Sequence, residues 1–298
     1  MNLLYLTFGE NISNHIQAHF SILSFLTHQE DIHTINVITD TPDFYNSLEH
    51  RINIIKINEE TLKEWKGKYD FFWRIKIKAI EMLCSMYMNE PVVYLDSDTF
   101  LYSKIKPISD ALLKGTAFMH EKEGELSKAK SKTEKRMWHQ LKDGTFGNIK
   151  MVASHAMFNA GVVATPNQKN NAECLLAVQI CDEMCKQGVT KRLIEQFALS
   201  VALHEMYGLQ EAKNAIAHYW SNKESWNSAI ENFLLSANFK SFTFEQTIEA
   251  IKDFNFSEQP VKIKAKNTNR RLRNLTDKFF PHQDLLFIKN TLKPNEDL

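Results

Sequence analysis

Two carboxylates one residue apart, Asp96 and Asp98, follow an unbroken apolar run, Val92 to Leu95, with Ser97 between them. Carboxylates this close repel each other, and a hard divalent cation relieves the repulsion. Mn2+ or Mg2+ keeps one or two protein carboxylates and fills its other positions from phosphates and water. A diphosphate leaving group needs such neutralisation as its bond breaks. The plainer alternative is a turn in which both aspartates cap the next segment, but capping does not account for two acids straight after an apolar strand.

The elements that must position these acids alternate between two periods. Asn2 to Phe8, Ile35 to Thr39 and Ile52 to Ile57 read as strands, and Asn11 to Leu26 as a helix. Phe71 to Met88 reads as a long amphipathic helix, with Phe72, Ile75, Ala79, Met82, Leu83 and Met86 on its apolar side. Lys76 falls inside that apolar arc, where snorkelling explains most lysines. Pro91 to Leu95 has the character of a buried parallel strand. This β-α-β alternation predicts an α/β fold, with a parallel sheet covered by helices. Ligands in such sheets bind at the carboxyl ends of the strands, where Asp96 and Asp98 fall.

Further along, Glu121 to Lys150 mixes both charge signs densely and reads as a solvated surface helix, or else as a mobile flap. Phe158 to Thr165 reads as a strand, followed by helices over Ala172 to Lys186 and Leu193 to His204. From Pro260 to Thr276 there are six basic residues (Lys262, Lys264, Lys266, Arg270, Arg271, Arg273) and no acid. Phe279, Phe280, Leu285, Leu286, Phe287 and Ile288 lie beyond. That tail suits either an anionic membrane surface or a C-terminal helix packed on the domain. The expected division is a catalytic domain over 1–235 and a helical, basic extension over 236–298.

Composition narrows the function classes. The 298 residues carry 36 basic and 36 acidic side chains, so a nucleic-acid partner is not expected. Cys174, Cys181 and Cys185 share one helical face and, with Cys84, form no zinc knuckle, so buried free thiols are expected. No run reaches the ~18 apolar residues of a membrane span, and Met1 to Leu6 lacks a signal peptide's basic start. A cytoplasmic protein follows, peripheral on the inner face of the membrane if the tail docks there. Nine glycines include no P-loop and no dinucleotide turn, so a metal has to hold any phosphate. His204 and Glu205 lack the second histidine of a zincin helix.

Tyr94-Leu95-Asp96-Ser97-Asp98, with Arg74 and Lys78 upstream and Phe158-Asn159-Ala160-Gly161-Val162-Val163 downstream, resembles the GT-A glycosyltransferases. Within them it is most similar to glycosyltransferase family 8 and its bacterial relatives, over roughly residues 1 to 226. The resemblance implies a GT-A fold, with a mixed, mostly parallel central sheet flanked by helices, and a hexosyl transfer from a nucleotide-diphosphate sugar, UDP-linked, to a hydroxyl of a glycan or lipid-linked saccharide. It assigns Asp96 and Asp98 to Mn2+ or Mg2+ and the donor diphosphate, and Asn159, Ala160 and Gly161 to the donor-sugar pocket. His218 matches the family's third metal ligand. The residues after it depart from the pattern: Ser221 stands in place of a glycine, and Lys223 falls one place early. Glu195 and Gln196 match the acid-plus-Gln pair facing the sugar. Glu195 would serve as general base in an inverting enzyme, or either would support the oxocarbenium-like centre in a retaining one; alternatively Glu195 only complements a helix dipole. Thr7, Phe8 and Asp40 fall where the family seats base and ribose, Tyr69 could stack on the base, and Arg74 could reach the diphosphate. The competing readings are a non-catalytic sugar-nucleotide-binding or assembly protein, and a haloacid-dehalogenase-type phosphatase, whose Asp-x-Asp sits on its first strand.

Overall fold

The structure, a computed structural model, describes residues 1–263 and Leu275. Its compact unit runs from Met1 to Lys262. The basic tail beyond Ile263 and its aromatic stretch, expected to meet a membrane or pack as a helix, lie outside the described residues.

The chain opens with β1 (Asn2–Thr7), α1 (Ile12–Leu26), β2 (Thr34–Thr39) and β3 (Asn53–Lys56). Helices α2 (Glu59–Lys66) and α3 (Arg74–Met86) lead into β4 (Val92–Leu95) and β5 (Thr99–Leu101). Next come α4 (Lys106–Leu113), β6 (Ala117–Met119), β7 (Lys122–Glu125), α5 (Lys132–Leu141), β8 (Thr145–Phe146) and β9 (Ile149–Lys150). β10 (Ala156–Phe158), β11 (Val162–Thr165), α6 (Ala172–Lys186) and α7 (Ile194–Tyr207) follow. The series ends with β12 (Leu209–Glu211), β13 (Ile216–His218), α8 (Lys223–Phe239) and α9 (Phe244–Lys252).

Seven strands form the main sheet in the order β12-β6-β11-β4-β1-β2-β3. Strands β3, β2, β1 and β4 run parallel; β11 runs antiparallel between β4 and β6, and β12 is parallel to β6. β1 and β4 are buried on both faces, as an apolar run at the centre of a covered sheet must be. One core, on the α3, α6 and α7 side, includes Ile75, Leu83, Cys174 and Phe197. The other, on the α1, α8 and α9 side, includes Phe20, Phe100, Trp226 and Ile251. All four cysteines are free and buried.

Three expectations need correction. Helix α3 starts at Arg74 rather than Phe71, after Asp70 takes a positive φ of 45°. Phe72 therefore precedes the helix and, like Met86 at its end, is half exposed, while Lys76 is buried. The expected strand over 158–165 is two strands broken at Asn159–Gly161. The charged stretch 121–150 is not one helix. β7 pairs with β10, α5 buries Met137 and Leu141, and a short β8–β9 hairpin closes the excursion.

The strand order determines what meets at the carboxyl end of β4. The Asp96 amide donates to the Gly161 carbonyl at 2.8 Å, extending the β4–β11 ladder by one step. β5 and β13 pair antiparallel with His218 opposite Thr99, which sets the histidine beside Asp98, and the Tyr219 amide then donates to the Asp98 carbonyl at 3.1 Å. Beneath this ribbon Phe100 packs against Phe20, Tyr219, Trp226 and Phe256, with ring centroids 4.7–6.1 Å away. Phe100→Ala should cost about 3–5 kcal/mol of unfolding free energy, measured by denaturant titration. A loss well under 1 kcal/mol would mean that this cluster does not anchor the ribbon.

Candidate functional site

Asp96 and Asp98 divide their oxygens in the same way. Asp96 Oδ1 accepts from the Tyr94 hydroxyl at 2.6 Å and lies 3.0 Å from Lys76 Nζ, while Oδ2 faces His218 Nε2 at 3.8 Å. Asp98 Oδ2 lies 3.0 Å from Lys223 Nζ, while Oδ1 faces the same Nε2 at 3.3 Å. One oxygen of each aspartate and one imidazole nitrogen therefore converge, the three donors lying within 4.8 Å of one another. An octahedral ion with bonds of about 2.1 Å has neighbouring donors roughly 3 Å apart, so this oxygen, oxygen and nitrogen set could hold a divalent ion after a small contraction.

The surroundings hold these groups in place. Burial opposes ionisation of Asp98, but His218 and Lys223 outweigh it and keep the carboxyl well below the usual aspartate range. Burial also disfavours the Lys76 ammonium, and Asp96 and Glu195 reverse the balance, so its pKa stands above the ordinary lysine value. Glu195, 3.9 Å from Lys76, is buried and its pKa is raised by that burial against the pull of Lys76. Lys76 also donates to the Ala160 carbonyl at 3.0 Å and lies over the Tyr94 ring. With all three carboxylates ionised, Asp96, Asp98 and Glu195 against Lys76 and Lys223 leave one negative charge before His218 is counted. His120 stands edge-on to His218 at 5.3 Å, and burial together with His218 pushes its own pKa down to about 4.

Gly161 has a steric role here. A Cβ built on it would lie 2.1 Å from His218 Nδ1, so any larger residue evicts the ring. The close approach that motivates a glycine is to the histidine.

These groups form the floor of a cavity of about 410 Å³, lined by Thr7, Phe8, Ser97 and both aspartates among others. Phe72, Trp73 and Trp220, each about half exposed, line it as well.

No family model matches the chain, and no curated protein matches it by sequence. Solved structures do match. One is the galactosyltransferase LgtC in complex with donor and acceptor sugar analogs: 10% identity over 91% of this chain and 99% of that one, with a TM-score of 0.50. Another is an active-site mutant of LgtC, at 12% identity over 79% and 96% of the two chains, with a TM-score of 0.51. The chain has the GT-A glycosyltransferase fold. In this GT-A sheet the paired acids end the fourth strand, whereas the phosphatase alternative needs them on the first.

Other residues singled out from the sequence take varied places in the GT-A frame. Ser97 donates to Gln17 at 3.1 Å, and the Thr7 hydroxyl accepts from Tyr45 at 2.9 Å. Asp40 accepts from the Gly9 amide at 2.9 Å. Arg74 is engaged away from the cavity, bidentate to Asp182 at 2.7 and 3.0 Å and donating to the Trp65 carbonyl. Lys78 pairs with Glu81, and Tyr69 packs against the α3-side core. The Gln196 side-chain oxygen accepts from the Ala160 amide at 3.3 Å, and its nitrogen donates to Glu123 at 3.0 Å. Lys76, which reads from the sequence as a snorkelling lysine, and Lys223, which falls out of step with the family pattern, meet the two aspartates directly. The one clue to Lys76 is a cation inside an apolar arc. The aromatic rim carries no spacing signal at all.

Two outcomes follow. Lys76→Met leaves Asp96 and Glu195 without their shared cation and should cost about 3–5 kcal/mol in a denaturant titration; an unchanged midpoint would remove the lysine's structural role. Because the Asp98 carboxyl is held below its unfolded value, its stabilisation is present above about pH 4 and is lost as pH falls below that. Asp98→Asn should therefore flatten the acid limb of the unfolding-midpoint curve, and a limb as steep as the native one would contradict the assignment.

Proposed function

We propose that the protein is a metal-dependent glycosyltransferase that moves a hexosyl unit from a nucleotide-diphosphate sugar, UDP-linked, to a hydroxyl of a glycan or lipid-linked saccharide. The observation that carries the reading is the convergence of one oxygen each from Asp96 and Asp98 with His218 Nε2 at the floor of an open cavity. The likeness to LgtC, a galactosyltransferase solved with donor and acceptor sugar analogs, supports it at the level of the fold.

Asp96, Asp98 and His218 would hold Mn2+ or Mg2+, which when bound neutralises diphosphate charge. The chain's own residues do the rest. Lys223, half exposed and beside Asp98, can exchange its aspartate contact for a phosphate oxygen. Phe8, Phe72 and Trp73 offer apolar ring faces to a nucleobase or sugar and keep water from them. Lys76 holds Asp96 and Glu195 at fixed separation, and the Gln196 side chain sits beside the Ala160 amide at the sugar end of the site. A binding module without turnover is the second reading, and the same experiment separates the two.

Thermal shift with UDP should show stabilisation that requires Mn2+, and UDP-sugar hydrolysis should be detectable. Asp96→Ala and Asp98→Ala should each abolish the metal-dependent shift and lower turnover by at least about 100-fold, a loss of roughly 3 kcal/mol. Metal-dependent UDP binding without turnover on any UDP- or GDP-sugar would favour the binding module. Full activity in either variant would refute the metal site.

A further inference from the structure

His218 is aimed by a relay that starts on the β7 ribbon. Its Nδ1 lies 2.8 Å from Asn159 Oδ1, and the same oxygen accepts from the Gly161 amide at 3.0 Å. Asn159 Nδ2 in turn donates to Glu123 Oε1 at 3.2 Å, and Glu123 Oε2 accepts from Gln196 at 3.0 Å.

An amide side chain has one accepting and one donating end, and its orientation follows from its partners. Here both partners agree. A main-chain N–H can only donate, so it requires the Asn159 oxygen on the inner side. An ionised carboxylate can only accept, so it requires the nitrogen on the outer side. With the oxygen toward His218, Nδ1 must carry the proton and donate. In the neutral ring, Nε2, which faces Asp96 and Asp98, is then the nitrogen with the free lone pair.

We infer that Asn159, held by Glu123, is a positioning residue that locks His218 in its Nδ1–H tautomer and so presents Nε2 as a metal ligand. The inference rests on the metal-site reading above and assigns Asn159 work beyond lining a sugar pocket. Both lone pairs of its oxygen are used, and one of its two N–H groups is held by Glu123. Outer partners of this kind set the tautomer and basicity of ligating histidines, and their loss typically weakens metal binding 10–100-fold. Gly161 completes the arrangement, since its missing Cβ lets the ring approach the strand and its amide orients the asparagine.

The tautomer can be read without metal. In protein labelled with 15N-histidine at about pH 9, above the ordinary histidine range, two-bond 1H–15N spectra should show His218 protonated at Nδ1, its signals assigned by loss in His218→Gln. Asn159→Leu should shift the population toward Nε2–H and raise the Mn2+ dissociation constant about 10–100-fold. Glu123→Ala, at an exposed position that leaves the core intact, should do the same to a lesser degree. The paired exchange E123Q with N159D keeps an acceptor toward His218 and a donor–acceptor pair outside it. It should restore both the tautomer and an affinity within a few-fold of native.

An Nε2–H imidazole in the native protein would overturn the inference. So would Asn159→Leu with native tautomer and native Mn2+ affinity. If the tautomer shifts with Asn159→Leu but the native protein binds no Mn2+, the relay stands and the metal reading falls.

Discussion

Electrostatic strain among like charges at one sheet end is the constraint around which the rest of the molecule is arranged. Asp96 and Asp98 leave β4 side by side with Glu195 close behind, and three carboxylates cannot share a low-dielectric site unaided. Lys76 and Lys223 each take one oxygen. The two remaining oxygens face His218 Nε2, and three carboxylates stand against two lysines. On the function proposed above, a divalent ion would supply what the protein's own cations leave unsupplied, and the cavity would take the anion which that cation attracts.

Three long-range pairings bring this about, each of them ordinary in itself. The β4–β11 ladder carries Gly161 to Asp96, the β5–β13 ribbon carries His218 to Asp98, and α3 lowers Lys76 onto the sheet between them. Packing then removes the remaining freedom. The Phe100 aromatic cluster supports the ribbon from below, Trp226 donates to the Pro260 carbonyl at 3.1 Å, and the missing Cβ of Gly161 leaves room for the His218 ring. Rigidity of this kind matters because a ligand set held near a bound geometry would lose little entropy on taking up an ion.

Residues at the ends of β1 and β4 line the cavity, whereas the β7–β10 ribbon is joined to it through the hydrogen bonds of Glu123 with Asn159 and Gln196. The charged excursion after β6 is therefore joined to His218 by hydrogen bonds through Glu123 and Asn159.

Much of the architecture was legible in the chain alone, because local period decides local structure. The apolar runs at β1, β2 and β4, the helices α1 and α6, and the two acids after Leu95 follow from patterns within a few residues of each other. Asp96 and Asp98 could be named for the same reason, since their chemistry depends on adjacency. What the sequence left open was everything set by contact across the chain. Lys76 read as a snorkelling lysine because periodicity records only how apolar a face is, and says nothing of which anions wait on the other side. Arg74 looked equally apt for a phosphate, yet Asp182, 108 positions away, claims it. Asn159 and Gly161 read as sugar contacts until the antiparallel return of β11 placed them against an imidazole from β13. Registers between distant strands are determined by the packing of both faces at once, and that information exists only in the folded molecule.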